Sequence, residues 1–594
     1  MESKKNNEKI DLVFNLKDTD TKTNTLNFSV TLSSKGNQTK ISEILKKCFN
    51  QGVKLDEEVL KKAFIKFKKQ GSMDYFIHKN ALGFLKEQLD LYLFEYLFKE
   101  MTAFDAKRLN EINTIKEVAL QVIVLVSEFE NELCKIWNKP RFVLNSHFIV
   151  SLDQLKAKNY DLNKITNHKN YPKQVQEWQD LNLKTTDNLL ENEFLPLDTL
   201  YFKDLEEGIR NLFSEDEING TLIKSENYQA LNSLKNRYKE AIDRIYIDPP
   251  YNTGSDFAYL DKFQDSTWLS LMHNRLELAY DFLSSQGSFY LHLDNNANYL
   301  GRMLLNDIFG KENFRNEIIW YYSNKMANSG NSFAKNTETI LNYSKDEEYI
   351  FYRQKEPRSE PVLLSKREGR DGKNMRARDE NGKVIYELSH ERYVDTLWNI
   401  AIIGSTSTER VKSGENLTQK PEKLLERIIK ASSNENSIVC DFFAGSGTTC
   451  AVAHKMKRKY IGIEMGEHFE SVILPRLKKV IGGFKSGAAK EFNGGGVVKV
   501  YELESYEEIL RKIKYEDNDK PLAYDEQYSD LVGCKNESYT LNIEVLEKMG
   551  VDIKETLENL WGLKVEFFNE KMVKFKGNDK EVEILKALKE ALIW

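Results

Sequence analysis

Two short apolar runs, far apart in the chain, each stop at an acidic residue followed by a tight turn. That pairing constrains the fold more than any other feature. Ile245-Tyr246-Ile247 ends at Asp248, and Pro249-Pro250 then forbid strand continuation, because proline cannot donate to a ladder. Ser437 to Phe442 reads as a second buried strand, followed by Phe443-Ala444-Gly445-Ser446-Gly447 and a helix from Thr448 to His454. A third strand, Tyr460 to Ile463, ends at Glu464. Continuous apolar strands of this kind belong to mostly parallel sheets covered on both faces, which bind ligands at the carboxyl ends of their strands. The expected fold class is α/β with a mostly parallel sheet.

The residue types at those strand ends suggest a chemistry. Asp248, Pro249, Pro250 and Tyr251 make a small acidic and aromatic clamp suited to an amino group on a planar ring. Such an amine is a poor nucleophile, since its lone pair is delocalised into the ring. A carboxylate at Asp248 accepting an N–H, helped by the Pro249 carbonyl, would draw the nitrogen toward tetrahedral geometry. Tyr251 is the natural platform for a base taken out of its stack. In the second motif, Gly445 and Gly447 allow a backbone turn at a helix amino end, where a nucleoside can approach. Asp441, Phe442, Phe443 and Thr448 surround it, and Glu464 is placed to accept hydrogen bonds from ribose hydroxyls. A lone Gly-x-Gly is an ordinary tight loop, and a lone Asp-Pro-Pro-Tyr a surface turn. The strand-turn-helix-strand context is what favours the ligand reading.

Together and in this order, the two motifs resemble those of the β-class DNA amino-methyltransferases, which move a methyl group from S-adenosylmethionine to a flipped-out base. The resemblance runs from about Leu195 to Tyr506 and is close to the modification (Mod) subunits of type III restriction–modification systems. It implies a Rossmann-like class I methyltransferase core in permuted β-class order, interrupted by a target-recognition domain. It also implies S-adenosylmethionine as cofactor, adenine N6 in double-stranded DNA as target, a homodimer, and a separate helicase–nuclease restriction subunit. Aspartate at position 248 leans toward adenine, since the cytosine-N4 enzymes more often carry serine there. A cytosine-N4 enzyme and a catalytically inactive DNA-binding protein stay open as alternatives. Lys420-Pro421 begins a segment similar to the family's motif X helix, with Asn416, Thr418 and Lys420 as cofactor contacts. Two positions depart from the family pattern. Ser225-Glu226-Asn227 stands where Gly-Asp-Asn is frequent, and Asn336-Thr337 replaces a histidine that often precedes the glutamate near Glu338.

Composition bounds the rest. A chain of 594 residues, 40% hydrophobic and 30% charged, suits several soluble globular domains. The expected division is an N-terminal extension and helical domain (1–160), a linker (161–187), a catalytic half (190–319), a target-recognition domain (320–399), a cofactor half (400–505) and a C-terminal α+β docking or dimerisation domain (506–594). The formal net charge of −6 gives no global basic signature, so any DNA footprint must be local. The arginines of 320–399, namely Arg353, Arg358, Arg367, Arg370, Arg376 and Arg378, are candidates for that footprint; a self-paired charged loop is the other reading. Five cysteines lack metal-ligand spacing, so reduced thiols and no metal site are expected. No apolar run is long enough to span a bilayer, and a cytoplasmic location is expected. The chain carries no phosphate-binding Gly-x-x-x-x-Gly-Lys-[Ser/Thr] motif, which speaks against ATP hydrolysis.

Overall fold

The computed structural model describes residues 12–20, 25–32, 39–50, 53, 55–61, 64, 80–98, 106–183, 188–253, 263–325, 333–370, 373–411, 418–514, 523–524, 531–535, 538–578 and 580–592. It divides into two compact units, 1–79 and 80–594. In the first, Leu12–Asp20 and Thr25–Leu32 pair antiparallel beside a helix, Ile41–Asn50. Phe14 stacks on Phe64 with ring centroids 4.1 Å apart, and Ile44, Cys48 and Leu60 complete a small core. Part of the expected N-terminal extension is therefore a two-stranded ribbon. Its lysines, aspartates, asparagines and threonines obscured the alternation of Leu12, Phe14 and Leu16.

The second unit opens with helices α1 (Ala81–Phe98) and α2 (Ala106–Trp137), bridged by Lys116 and Asp90 at 2.7 Å. Eleven strands then form one sheet. In chain order they are β1 (Val143–Ser151), β2 (Pro196–Asp198), β3 (Gly220–Lys224), β4 (Ile242–Ile247), β5 (Leu283–Leu293), β6 (Phe314–Tyr321), β7 (Thr337–Ser344), β8 (Leu397–Asn399), β9 (Ile438–Asp441), β10 (Lys459–Glu464) and β11 (Val497–Leu503). Their order across the sheet is β8-β6-β7-β5-β4-β9-β10-β3-β11-β1-β2. The six central strands, β5 to β11 in that order, run parallel. Helices α3 (Asn227–Leu234) and α4 (Asp265–Phe282) cover one face, burying Ile245 and Ile247 against Leu231, Trp268 and Met272. Helices α5 (Glu422–Ser432) and α6 (Thr448–Lys455) cover the other, burying Tyr246 and Val439 against Leu425, Ile428 and Val452. The alternation Ile245-Tyr246-Ile247 thus feeds both cores at once.

Three expected boundaries move. Strands β1 and β2 form one edge of the main sheet, and Leu155 and Leu162 between them share one core, so the division at 160 falls inside that core. Trp178, in the segment read as a linker, is buried and donates from Nε1 to the Pro196 carbonyl at 2.7 Å. The polar composition of 161–187 concealed that anchor. The 320–399 insert also shrinks, because β7 pairs with β5 from Ser288↔Ser344 to Leu293↔Thr339 and β8 pairs with β6. What projects is an antiparallel ribbon of Lys355–Ser365 with Tyr386–Tyr393, carrying a smaller hairpin of Arg367–Arg370 with Lys373–Arg376. Strand pairing is non-local, so composition could not reveal that β6, β7 and β8 complete the sheet. At the far end, helix α7 (Ile553–Trp561) packs beside three antiparallel strands, Val565–Phe568, Met572–Phe575 and Val582–Glu583. Among the described residues no helix is long and apolar enough to cross a membrane.

Candidate active site

Strands β4 and β9 pair in parallel, with Ile245 beside Cys440. The chain leaves β4 toward β5 on one side and β9 toward β10 on the other. Divergence of this kind opens a crevice at the carboxyl ends of the two strands. A cavity of about 350 Å³ lies there, and Asp248, Pro250, Lys420, Asp441, Gly445 and Glu464 all line it. Thr418, Phe442, Phe443 and Thr448 line it too. Asn416 lies outside the described residues. Strand pairing therefore brings together two motifs nearly a domain apart in sequence.

Asp248 sits at the centre of a buried polar network. Its Oδ2 accepts a hydrogen bond from the Lys420 ammonium at 2.6 Å, and its Oδ1 accepts one from the Tyr251 hydroxyl. Tyr251 also reaches Glu338 Oε2 at 3.2 Å, and Lys420 Nζ stands 3.8 Å from the same oxygen. His292 Nε2 approaches Glu338 at 2.8 Å, while its Nδ1 lies 2.7 Å from the Tyr246 hydroxyl. Burial would raise the Glu338 carboxyl, but Lys420 and His292 outweigh it and hold the group down at about 2. Trp268 fixes the proline turn by donating from Nε1 to the Pro250 carbonyl at 2.8 Å.

The second motif holds its shape by different means. Gly445 and Gly447 have φ of 52° and 72°, in the left-handed region where a side chain is strained. A Cβ on Gly447 would stand 3.2 Å from Ile473 Cγ2. Glu464 accepts the Gly445 N–H at 2.9 Å and those of Met465 and Gly466 at 2.9 and 3.0 Å, tying β10 to the turn. Burial opposes its charge, but His468 and these N–H groups prevail and keep the carboxyl below the usual range. Asp441 behaves oppositely. Burial pushes its carboxyl up to about 7, against the Thr449 hydroxyl at 2.5 Å and the Phe443 N–H at 3.1 Å. Glu226 also lines the cavity, but it caps α3 through the Gln229 N–H at 2.9 Å and pairs with Arg275.

Two members of this network were not expected from the sequence, and a third was expected with another partner. His292 was an overlooked signal, a polar residue in an otherwise apolar strand, Phe289-Tyr290-Leu291-His292-Leu293. Glu338 was passed over because the residues before it departed from the family pattern. Lys420, expected at the cofactor, contacts Asp248 directly. The arginines are not drawn into the cavity. Arg353, Arg367, Arg376 and Arg378 are exposed on the projecting ribbon and its root. Arg358 donates to the Glu391 carbonyl at 3.0 Å and Arg378 to that of Gly382 at 2.5 Å. Arg370 closes its short strand, and its side chain lies outside the described residues.

Comparison with known proteins places this geometry. Residues 242–474 match the DNA methylase family model. The HindVI Mod subunit of Haemophilus influenzae, named as a probable type III restriction-modification enzyme, is 29% identical over 50% of this chain and 56% of its own length. The type III restriction-modification enzyme StyLTI Mod subunit of Salmonella typhimurium is 27% identical over 38% of this chain and 48% of its own length. The chain thus spans about half the length of these two relatives. The DNA adenine methyltransferase YhdJ of Escherichia coli is 30% identical over 42% of this chain and 80% of its own length. With both motifs on one cavity, and with most of a relative covered at that identity, the chain belongs to the DNA methylase family.

Proposed function

We propose that this chain transfers a methyl group from S-adenosylmethionine to the N6 amino group of adenine in double-stranded DNA, as the modification subunit of a type III restriction–modification system. The observation that carries the reading is the convergence of Asp248 and Pro250 from the first motif and of Gly445 and Ser446 from the second on one cavity, with Tyr251 reaching it through its hydrogen bond to Asp248. When bound, S-adenosylmethionine supplies an electrophilic methyl group on a sulfonium. The cavity suits a cation, because Glu226, Asp248, Asp441 and Glu464 line it against Lys420 and Arg275. Gly445, Gly447 and Thr448 would hold the cofactor at the amino end of α6, with Asp441 and Glu464 beside it. Asp248 would accept an N–H of the base and stabilise positive charge as it grows on the nitrogen. Lys420 now occupies that acceptor. Its ammonium stands in for the amine, and Glu338 offers it a second partner once a base enters. The relatives named as Mod subunits and as an adenine methyltransferase support the choice of target. Mass spectrometry of nucleosides from DNA incubated with the protein and cofactor tests it. N6-methyladenine is expected, and N4-methylcytosine alone would replace the reading.

The Asp441 carboxyl makes cofactor affinity depend on pH. A carboxyl raised to about 7 is mostly ionised above that pH and mostly neutral below it. A cationic ligand favours the ionised form, so affinity should weaken as pH falls through 7, by up to about tenfold per unit. Calorimetric titration between pH 8 and 6 reads this. Asp441→Asn should flatten the profile, and an equally steep profile in that variant would assign the effect elsewhere.

The ribbon rooted at 353–395 is assigned to sequence recognition, on the strength of its position and its exposed arginines. Grafting it from a relative of different specificity should move the methylated site while cofactor affinity stays constant. An active chimera that kept the original site would place recognition elsewhere. A homodimer and a separate restriction subunit belong to the same reading. The exposed apolar residues Leu91 and Phe94 on α1 and Val118, Val122 and Leu125 on α2 support self-association. Sedimentation should therefore give twice the chain mass, and charged replacements at Val122 and Leu125 should shift it toward the monomer.

A further inference from the structure

A second cavity, of about 310 Å³, lies on the same sheet face as the catalytic network, between α5 and the root of the projecting ribbon. Register fixes its position. Tyr246 lies beside Tyr290 across β4 and β5, and Tyr290 lies beside Asn342 across β5 and β7. Tyr246 lines the catalytic cavity, whereas Tyr290 and Asn342 line the second one, so the two cavities are neighbours along one row of the sheet. The walls are aromatic: Tyr290 and Trp398 are buried, and Tyr352 and Tyr393 are exposed at the ribbon root. Asn342 is 1% exposed, and among the described residues its Oδ1 has no hydrogen-bond partner. Buried acceptors are normally satisfied, so this amide oxygen asks for an N–H donor. Two guanidinium planes complete the lining. Arg427 lies 5.2 Å from the Trp398 ring centroid and Arg353 lies 5.8 Å from that of Tyr393, with Arg353 open to solvent.

Flat aromatic walls, one donor-seeking amide and an exposed arginine are the elements that hold a nucleotide out of its helix: stacking for the ring, an acceptor for a base N–H, a cation for the phosphate. We propose that this cavity receives a second extrahelical DNA base, distinct from the methylation target, stacked among Tyr290, Tyr393 and Trp398 with an N–H directed at Asn342 Oδ1. The inference rests on the DNA-methylating reading given above. Extracting one base leaves its partner unpaired, which lowers the cost of moving a second base off the stack. The base opposite the target is therefore the first candidate.

Photocrosslinking of the full chain decides it. Duplexes containing the methylation site carry 5-iodo-deoxyuridine at single positions scanned along the non-target strand, and mass spectrometry locates the crosslinked residue. Crosslinks from one position to Tyr352, Tyr393 or Trp398 are expected, with yield at least about tenfold lower in Asn342→Leu. Tyr393→Ser, at an exposed site that the core does not depend on, should lower the yield as well and serves if Asn342→Leu does not fold. If the same duplexes are methylated but crosslink to none of these residues at any position, the inference is overturned and the methylation reading survives. If they are neither methylated nor bound, the functional reading fails and this inference falls with it.

Discussion

Asp248→Ala should lower the rate of methyl transfer by roughly a hundred-fold or more and leave S-adenosylmethionine affinity within a few fold. An oriented charged contact made mainly in the transition state is worth ~3–4 kcal/mol, which sets that scale. The carboxylate is held for this task from two sides, by the Tyr251 hydroxyl at Oδ1 and by Lys420 at Oδ2. Removing it leaves Lys420 with Glu338, 3.8 Å away, so the buried ammonium keeps a counter-charge and the fold should tolerate the change. The measurement is a single-turnover rate on duplex DNA alongside calorimetry of the cofactor. Asp248→Asn, which keeps an acceptor oxygen but loses the charge, should fall between the two. Near-normal turnover by the alanine variant would remove Asp248 from the chemistry.

Asp248 and Glu464 were legible because each lies at a strand end, and Gly445 and Gly447 because they turn the chain from a strand into a helix, where a local signal coincides with a global position. An apolar run, a proline or glycine and an acid within a few residues are enough to mark such a place. Helix α6 was legible for the same reason, because it follows the glycine turn directly. The parts that were not legible depend on pairing. Nothing near Glu338 announces that β7 lies beside β5, and only that register sets Glu338 near His292 and Tyr251. Lys420 was assigned to the cofactor by its place in a motif. Its contact with Asp248, far away in sequence, follows from the approach of α5 to β4. Trp178 shows a related failure, since one buried indole anchors a segment whose composition is otherwise that of a linker.

The carboxyl-terminal region depends on a buried charge cluster that polar patterning could not place either. Glu555 on α7 is 1% exposed and accepts hydrogen bonds from Lys499 of β11 at 3.0 and 2.9 Å, Arg237 at 2.7 Å and Arg210 at 3.1 Å. Burial would raise its carboxyl, yet Lys499, Arg237 and Arg210 outweigh that and hold it far below the usual range. A depressed carboxyl contributes stability that is present above its unfolded value and is lost only as pH falls through the folded one. At neutral pH the full contribution is therefore in place. Glu555→Ala strands buried cations, and breaking one side of such a cluster costs ~3–5 kcal/mol, more than most single substitutions. Lys499 is the most exposed to the loss, since burial and its arginine neighbours already lower its pKa even with Glu555 present. Urea unfolding should show a clearly lower midpoint for Glu555→Ala. Replacing Lys499 and Glu555 together with apolar residues of similar size should recover much of the difference, because the stranded charge is then gone. A Glu555→Ala variant as stable as the parent would mean that Glu215 and Glu558 absorb the cations, and that α7 is held to the sheet by its apolar face through Leu557 and Leu560.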